Sequence, residues 1–254
     1  MRLLITETSW PVTAAAKDLS EAGFRLSRVD DGASLLDFVR HGRQDAALVA
    51  ATLPDIPSET AVARMRHAAP TLPVVALAEP DTGWRARRAL YVAGVDAVLD
   101  LPMDVAELSA RIRSMVVRAA GFDTARLCIG GLELCPATRS VCAGRRRLRL
   151  PGEGMHGPNR IPLSPREYDL LETLVLARGR TVSRDEVMDR LYAFEDEPGP
   201  RIVDVYVARI RAKLAEAGLS PGMLVSKRAQ GLRLDPMADR GGGPDPEAGP
   251  VAVA

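Results

Sequence analysis

Arg201, Arg209, Arg211 and Lys213 fall within one segment, Arg201-Ile-Val-Asp-Val-Tyr-Val-Ala-Arg-Ile-Arg-Ala-Lys-Leu214, that also carries a regular apolar series. At about 3.6 residues per turn, Ile202, Val203, Val207, Ile210 and Leu214 form one stripe, and the four cations lie on the other side with Tyr206 among them. A helix that docks by one face and offers arginines on the other suits the major groove of DNA, where guanidinium groups read guanine edges and pair with phosphates. A solvated amphipathic surface helix has the same pattern, and this segment alone leaves both open. No Gly-rich phosphate loop, paired catalytic carboxylates or Ser/His/Asp set accompanies it, which argues against an enzyme. Cys128, Cys135 and Cys142 contain no close pair, and His156 lies well beyond them, so neither a metal nor a cofactor is expected.

The elements that must position these residues divide into two groups. A chain of 254 residues is long enough for two cores, and its charge is uneven. Residues 1–123 carry a net −2, residues 124–234 a net +6 and the remainder −3, so the second part is the one suited to a polyanion. No stretch is long and apolar enough for a membrane span, no leader pattern opens the chain, and the odd cysteine count suits reduced thiols, so a cytoplasmic location is expected. Over residues 1–120, strand-like runs at 3–5, 24–29, 46–50, 74–77 and 96–99 alternate with helical patterns at 11–22, 33–42, 57–68, 82–93 and 104–119. That alternation predicts a parallel sheet covered on both faces. A linker is expected at 121–125. Short strands at 127–129, 132–134 and 140–142 follow, then a turn-rich loop at 151–160 and helices capped by Ser164 and Ser183. A third helix starts near Pro200-Arg201, and a hairpin at 224–234 completes a domain over 126–235. The Gly/Pro/Ala-rich tail at 236–254 is expected to be disordered.

Three helices and a basic hairpin make a winged helix-turn-helix. Ile161-Pro-Leu-Ser-Pro-Arg-Glu-Tyr-Asp-Leu-Leu171, Arg180-Thr-Val-Ser-Arg-Asp-Glu-Val187, the 201–214 segment and Ser226-Lys-Arg-Ala-Gln-Gly-Leu-Arg-Leu234 resemble the effector domains of OmpR/PhoB-class response regulators. Leu191-Tyr192 and Asp196-Glu197-Pro198 are most similar to the CtrA branch, and Ser226-Lys227-Arg228 is similar to flagellar regulators of the class. The resemblance implies that Arg201 and Ser226 contact phosphates, and that Val205, Tyr206, Arg209 and Arg211 face the major groove. Lys213 and Lys227 add to the DNA-binding set, and Arg228 enters the minor groove. Asp204 is implied to have a structural role, and the Asp196-Glu197 loop lies where relatives can meet RNA polymerase. The chain departs from the pattern in having Tyr206 for a common histidine and Leu232 for a wing aromatic. The run Arg145-Arg146-Arg147-Leu148-Arg149 is an addition, either a wider phosphate footprint or a solvated basic loop.

The first 120 residues resemble the CheY-like doubly wound receiver, giving an α/β fold of five strand–helix units followed by the winged helix. A working receiver needs two acids and a metal at the first strand, and an aspartate nucleophile at the third. It also needs a hydroxyl at the fourth strand and a lysine at the fifth. Laid on that pattern, this chain supplies Glu7 and Thr8, Ala50, Ala78 and Leu101, with Val98 at the aromatic switch position. Alanine cannot accept a phosphoryl group. Asp45, Asp55 and Asp100 read as loop or turn carboxylates rather than substitutes. In the family, opposite charges link receivers side by side, which points to Arg87, Glu107, Arg111 and Arg118 as a dimer face. The expected function is a sequence-specific transcription regulator, independent of phosphorylation, binding paired half-sites of promoter DNA as a homodimer. The alternative is an interaction module whose first domain binds a sensor or regulator, with DNA binding secondary.

Overall fold

Burial sorts the five strands of the first unit. In the computed structural model β1 (Arg2–Thr6), β3 (Ala46–Ala50) and β4 (Val74–Ala78) are buried along their whole length. By contrast β2 (Arg25–Val29) and β5 (Ala97–Asp100) are partly exposed. The sheet order β2-β1-β3-β4-β5 explains this, since the two mixed strands are its edges. All neighbouring pairs are parallel, so each connection crosses over through a helix. The structure describes all residues except 42, 124–125, 145–159, 193–198, 200, 228–229, 236 and 238–254.

Two helices, α1 (Trp10–Glu21) and α5 (Val105–Ala119), contact each other. The other three, α2 (Gly32–His41), α3 (Ser58–Ala68) and α4 (Trp84–Ala93), pack side by side over a core that includes Leu4, Val49, Val62, Met65 and Leu90. The fourth helix begins at Trp84 rather than 82, because the Glu79 N–H bonds Thr82 Oγ1 at 3.0 Å and holds the entry as a turn. Asp55 and Asp45 are not merely solvated. The Asp55 carboxylate accepts from Gly32 N and Ala33 N at 2.8 and 3.0 Å, capping α2 from a distant loop, and these bonds lower its pKa. Asp45 accepts from Arg2 N at 2.8 Å. The order reverses between β1 and β3, so the crevice at their carboxyl ends is where this topology places a ligand.

The chain divides into compact units at Ala125/Arg126. In the second, β6 (Leu127–Ile129), β7 (Leu132–Cys135), β8 (Ser140–Ala143) and β9 (Arg160–Ile161) form an antiparallel meander. The β9 strand is an addition to the sequence reading, since two residues are too few to show an alternation. Helix α6 (Pro165–Leu176) opens with a complete capping box between Ser164 and Glu167. In α7 (Arg184–Tyr192) the Glu186 N–H bonds Ser183 Oγ at 3.1 Å. Helix α8 spans Ile202–Glu216, and β10 (Leu224–Lys227) and β11 (Gly231–Leu234) form an antiparallel wing. Val182 is bridged to Leu232 by reciprocal backbone bonds of 2.7 and 2.8 Å, tying the segment before α7 to the wing.

Candidate nucleic-acid interface

The buried side of α8 is Val203, Val207, Ile210 and Leu214, with Ile202 half-buried at the margin. Its charged residues do not behave as one group. Arg211 turns back to the wing, donating from Nε and a terminal nitrogen to Leu224 O at 3.0 and 2.7 Å. Lys213 Nζ lies 2.7 Å from Oε2 of Glu167, a buried carboxylate on α6. Asp204 takes a two-pronged bond from Arg184 of α7 at 3.0 and 2.5 Å, consistent with a structural role. The Tyr206 hydroxyl is 2.7 Å from that of Tyr192, whose ring is stacked under Arg166 with its guanidinium carbon 4.7 Å from the ring centre.

The outward strip is therefore Arg201, Val205, Ala208, Arg209 and Ala212, all exposed. Among the described residues, neither Arg201 nor Arg209 takes part in an ion pair. Ser226 and Lys227 are exposed at the end of β10. Arg228, the 145–160 basic loop up to residue 159, and Asp196-Glu197 lie outside the described residues. Of the sequence-read set, the fold thus leaves Arg201, Val205, Arg209, Ser226 and Lys227 facing outward. Arg211, Lys213 and the Tyr206 hydroxyl are engaged within the unit, a correction to the reading that placed all the cations on one free face. The partners Arg184, Glu167, Leu224 and Tyr192 were not legible, because none of them lies on α8.

At the crevice of the first unit, Ala50 and Ala78 end β3 and β4 and are buried, as is Leu101. The Ala50 N–H bonds Thr6 Oγ1 at 2.6 Å, and Ser58 Oγ donates to Ala50 O at 3.0 Å. Glu7 lies 3.1 Å from Arg28, and Thr8 Oγ1 donates to Thr52 O at 3.2 Å. Val98 is half-buried against the core beneath α4, and its N–H meets the Tyr91 hydroxyl at 3.2 Å. Asp100 is held by Arg87, which raises the arginine's pKa and lowers the carboxylate's. Glu107 pairs with Arg111 at 2.6 Å, and Arg118 Nε donates to Ser114 O at 3.3 Å. The Arg87 and Glu107 charges read as reaching a second copy thus have partners within their own chain. Beside them Trp84 and Tyr91 are 67% and 53% exposed.

A parallel α/β unit with a crevice at its switch point, followed by a winged helix, defines a two-unit transcription regulator of the response-regulator class. Residues 158–234 match the family described as "Transcriptional regulatory protein, C terminal". The chain is 33% identical over 218 residues to sensory transduction protein RegX3 of Mycolicibacterium smegmatis, covering 85% of this chain and 91% of that one. It is 27% identical over 238 residues to response regulator MprA of Mycobacterium avium, covering 92% and 98%. A solved structure of DrrB, a Thermotoga maritima OmpR/PhoB homolog, is 18% identical over 92% of this chain and 98% of that one, with a TM-score of 0.40. The chain belongs to the OmpR/PhoB family of response regulators, which are DNA-binding transcription regulators. No helix among the described residues is long and apolar enough to cross a membrane.

Proposed function

We propose that this regulator binds its operators without aspartyl phosphorylation, as a dimer on paired half-sites about one DNA turn apart. The observation that carries the reading is Ala50 at the end of β3, with its backbone closed by Thr6 and Ser58 where a working receiver has its nucleophile. The residues around it do not fit the divalent cation that such chemistry needs. Glu7 is already paired with Arg28, and Thr8 spends its proton on Thr52, whereas Mg²⁺ is usually held by one or two carboxylates and several waters. Arg209 and Val205 read base edges, Arg201, Ser226 and Lys227 set affinity and register on the backbone, and Arg228 enters the adjacent minor groove. Trp84 and Tyr91 supply the apolar centre that a dimer face of exposed ion pairs lacks. The cytoplasm is its compartment, and RNA polymerase is a partner met through Asp196-Glu197, which lie outside the described residues.

Binding of the unmodified full chain to promoter fragments, with and without Mg²⁺ and a small-molecule phosphodonor, tests the reading. Specific binding at moderate salt that ignores the donor is expected. Binding that appears only with the donor would overturn it.

A further inference from the structure

The three helices on one face of the first sheet leave an open trough of about 730 Å³, along α3 and bordered by α2 and α4. Its floor is made of small side chains, Ala63 and Ala68 of α3 with Ala89 and Ala93 of α4, and Val92 stands beside them 79% exposed. The volume falls within the about 300–1,000 Å³ of ligand pockets, but the trough runs open along the helices rather than closing on a small molecule. Small residues in a row let another backbone approach closely, and an exposed valine among alanines gains from being covered.

The rim is charged, mostly with one sign. Arg40 and Arg64 border the floor, against Glu59 alone among the lining acids. Arg85 and Arg88 continue this edge on α4, two turns and one turn before Val92 on the same side of the helix. The first unit carries a net −2 over residues 1–123, so this concentration of cations runs against the unit's own balance.

We infer that the α2–α3–α4 trough is a docking surface for an acidic amphipathic helix of a partner protein. The partner's apolar i, i+3, i+4, i+7 face lies on the alanine floor and Val92, and its glutamates or aspartates flank that face and meet Arg40, Arg64 and Arg88. This face adjoins the Trp84 and Tyr91 side of α4, where the Arg85 guanidinium carbon lies 5.5 Å from the centre of the Trp84 ring, and the inference does not rest on the DNA-binding reading. It gives the first unit a means of receiving a partner that does not pass through Ala50.

The test uses the full chain and a fluorescein-labelled, Glu-rich amphipathic peptide of about 18 residues, long enough for five helical turns. Saturable binding by anisotropy is expected, weakened about tenfold or more by Ala63→Trp, which fills the floor, and by Arg64→Glu. Both positions are exposed, so circular dichroism and DNA binding should stay at wild-type levels. Absence of binding, or binding unaffected by both substitutions, would overturn the inference. So would equal binding of a polyglutamate of the same length, which reports charge alone. Sedimentation showing self-association abolished by Ala63→Trp would overturn it in favour of a second copy of the chain.

Discussion

Arg209 and Arg211 are two positions apart on one helix, yet one is exposed and the other is bonded back to the wing. On a helical wheel the outward strip lies opposite the buried stripe, whereas positions 211 and 213 fall about 70–90° from the stripe's centre. There a long side chain can reach back to the fold, as Arg211 and Lys213 do. Arg209→Ala should lose about 1–3 kcal/mol of discrimination at one base position and leave thermal stability unchanged. Arg211→Ala should instead remove about 1.5–3 kcal/mol of stability, from the loss of two charge-assisted bonds to Leu224 O, and weaken all DNA sequences alike. Competition binding against single-base operator variants, with melting curves for both proteins, separates the two. For Glu167, burial pushes the pKa up, but Lys213 and the Ser164 N–H outweigh it and hold the carboxyl below its ordinary 4.5. A depressed folded pKa gives stability that is full above about pH 4.5 and lost as pH falls through the folded value. Lys213→Met removes the cation and leaves burial opposed by the Ser164 bonds alone, so the carboxyl's pKa should rise and this contribution should shrink. The variant's melting deficit should be about 2–3 kcal/mol at pH 7.5, low for a buried pair because Lys213 is 26% exposed, and smaller at pH 4.5. An equal deficit at both values would mean that packing, not charge, is what Lys213 provides.

Elements were legible where a repeat was long enough to show. The continuous apolar runs of β1, β3 and β4 gave strands that are buried throughout, and Ser164 and Ser183 marked the starts of α6 and α7. Illegible were contacts that join elements far apart in the chain, such as Asp55 capping α2, Arg184 on Asp204, and Val182 on the wing. The outward half of α8 could be read as a strip but not trimmed to its free members, because the partners that claim Arg211 and Lys213 lie on the wing and on α6. The Val182 bridge explains one residue of the wing that pattern alone does not. Gly231 has φ +127°, and a Cβ there would stand 2.0 Å from Val182 O, a backbone atom with no freedom to yield. Gly231→Ala should therefore break the bridge, cost more than about 2 kcal/mol and weaken DNA binding without changing its sequence preference. Hydrogen exchange at the Leu232 amide, which bonds Val182 O at 2.8 Å, reports the bridge directly. Retained protection of that amide in the variant would refute the argument.

Across the whole chain, the basic second unit is the one with the outward arginine strip, while the ends of β3 and β4 carry Ala50 and Ala78, both buried. In a working receiver the aspartate is tolerable because a metal and a lysine offset it; here Leu101 and Ala78 occupy those surroundings and are buried. Placing an aspartate at residue 50 alone should therefore harm the protein rather than give it phosphate control. Ala50 is 2% exposed, its N–H is taken by Thr6 and its carbonyl by Ser58. A carboxylate introduced there has lost its water and gained no cation, so burial raises its folded pKa. The sign then follows: the protonated form is the one the fold accepts, and stability should fall as pH rises above about 4, the ordinary aspartate value. Ala50→Asp should melt lower than the parent at pH 8 than at pH 5. At either pH its DNA binding should be as indifferent to Mg²⁺ and a phosphodonor as that of the unaltered chain. Intact-mass spectrometry after incubation with the donor should find no phosphoryl adduct on either protein. Should Ala50→Asp become phosphorylated and bind its operator more tightly as a result, that one side chain would suffice for phosphate control, and the proposal of phosphorylation-independent binding would rest on residue 50 alone rather than on its buried surroundings.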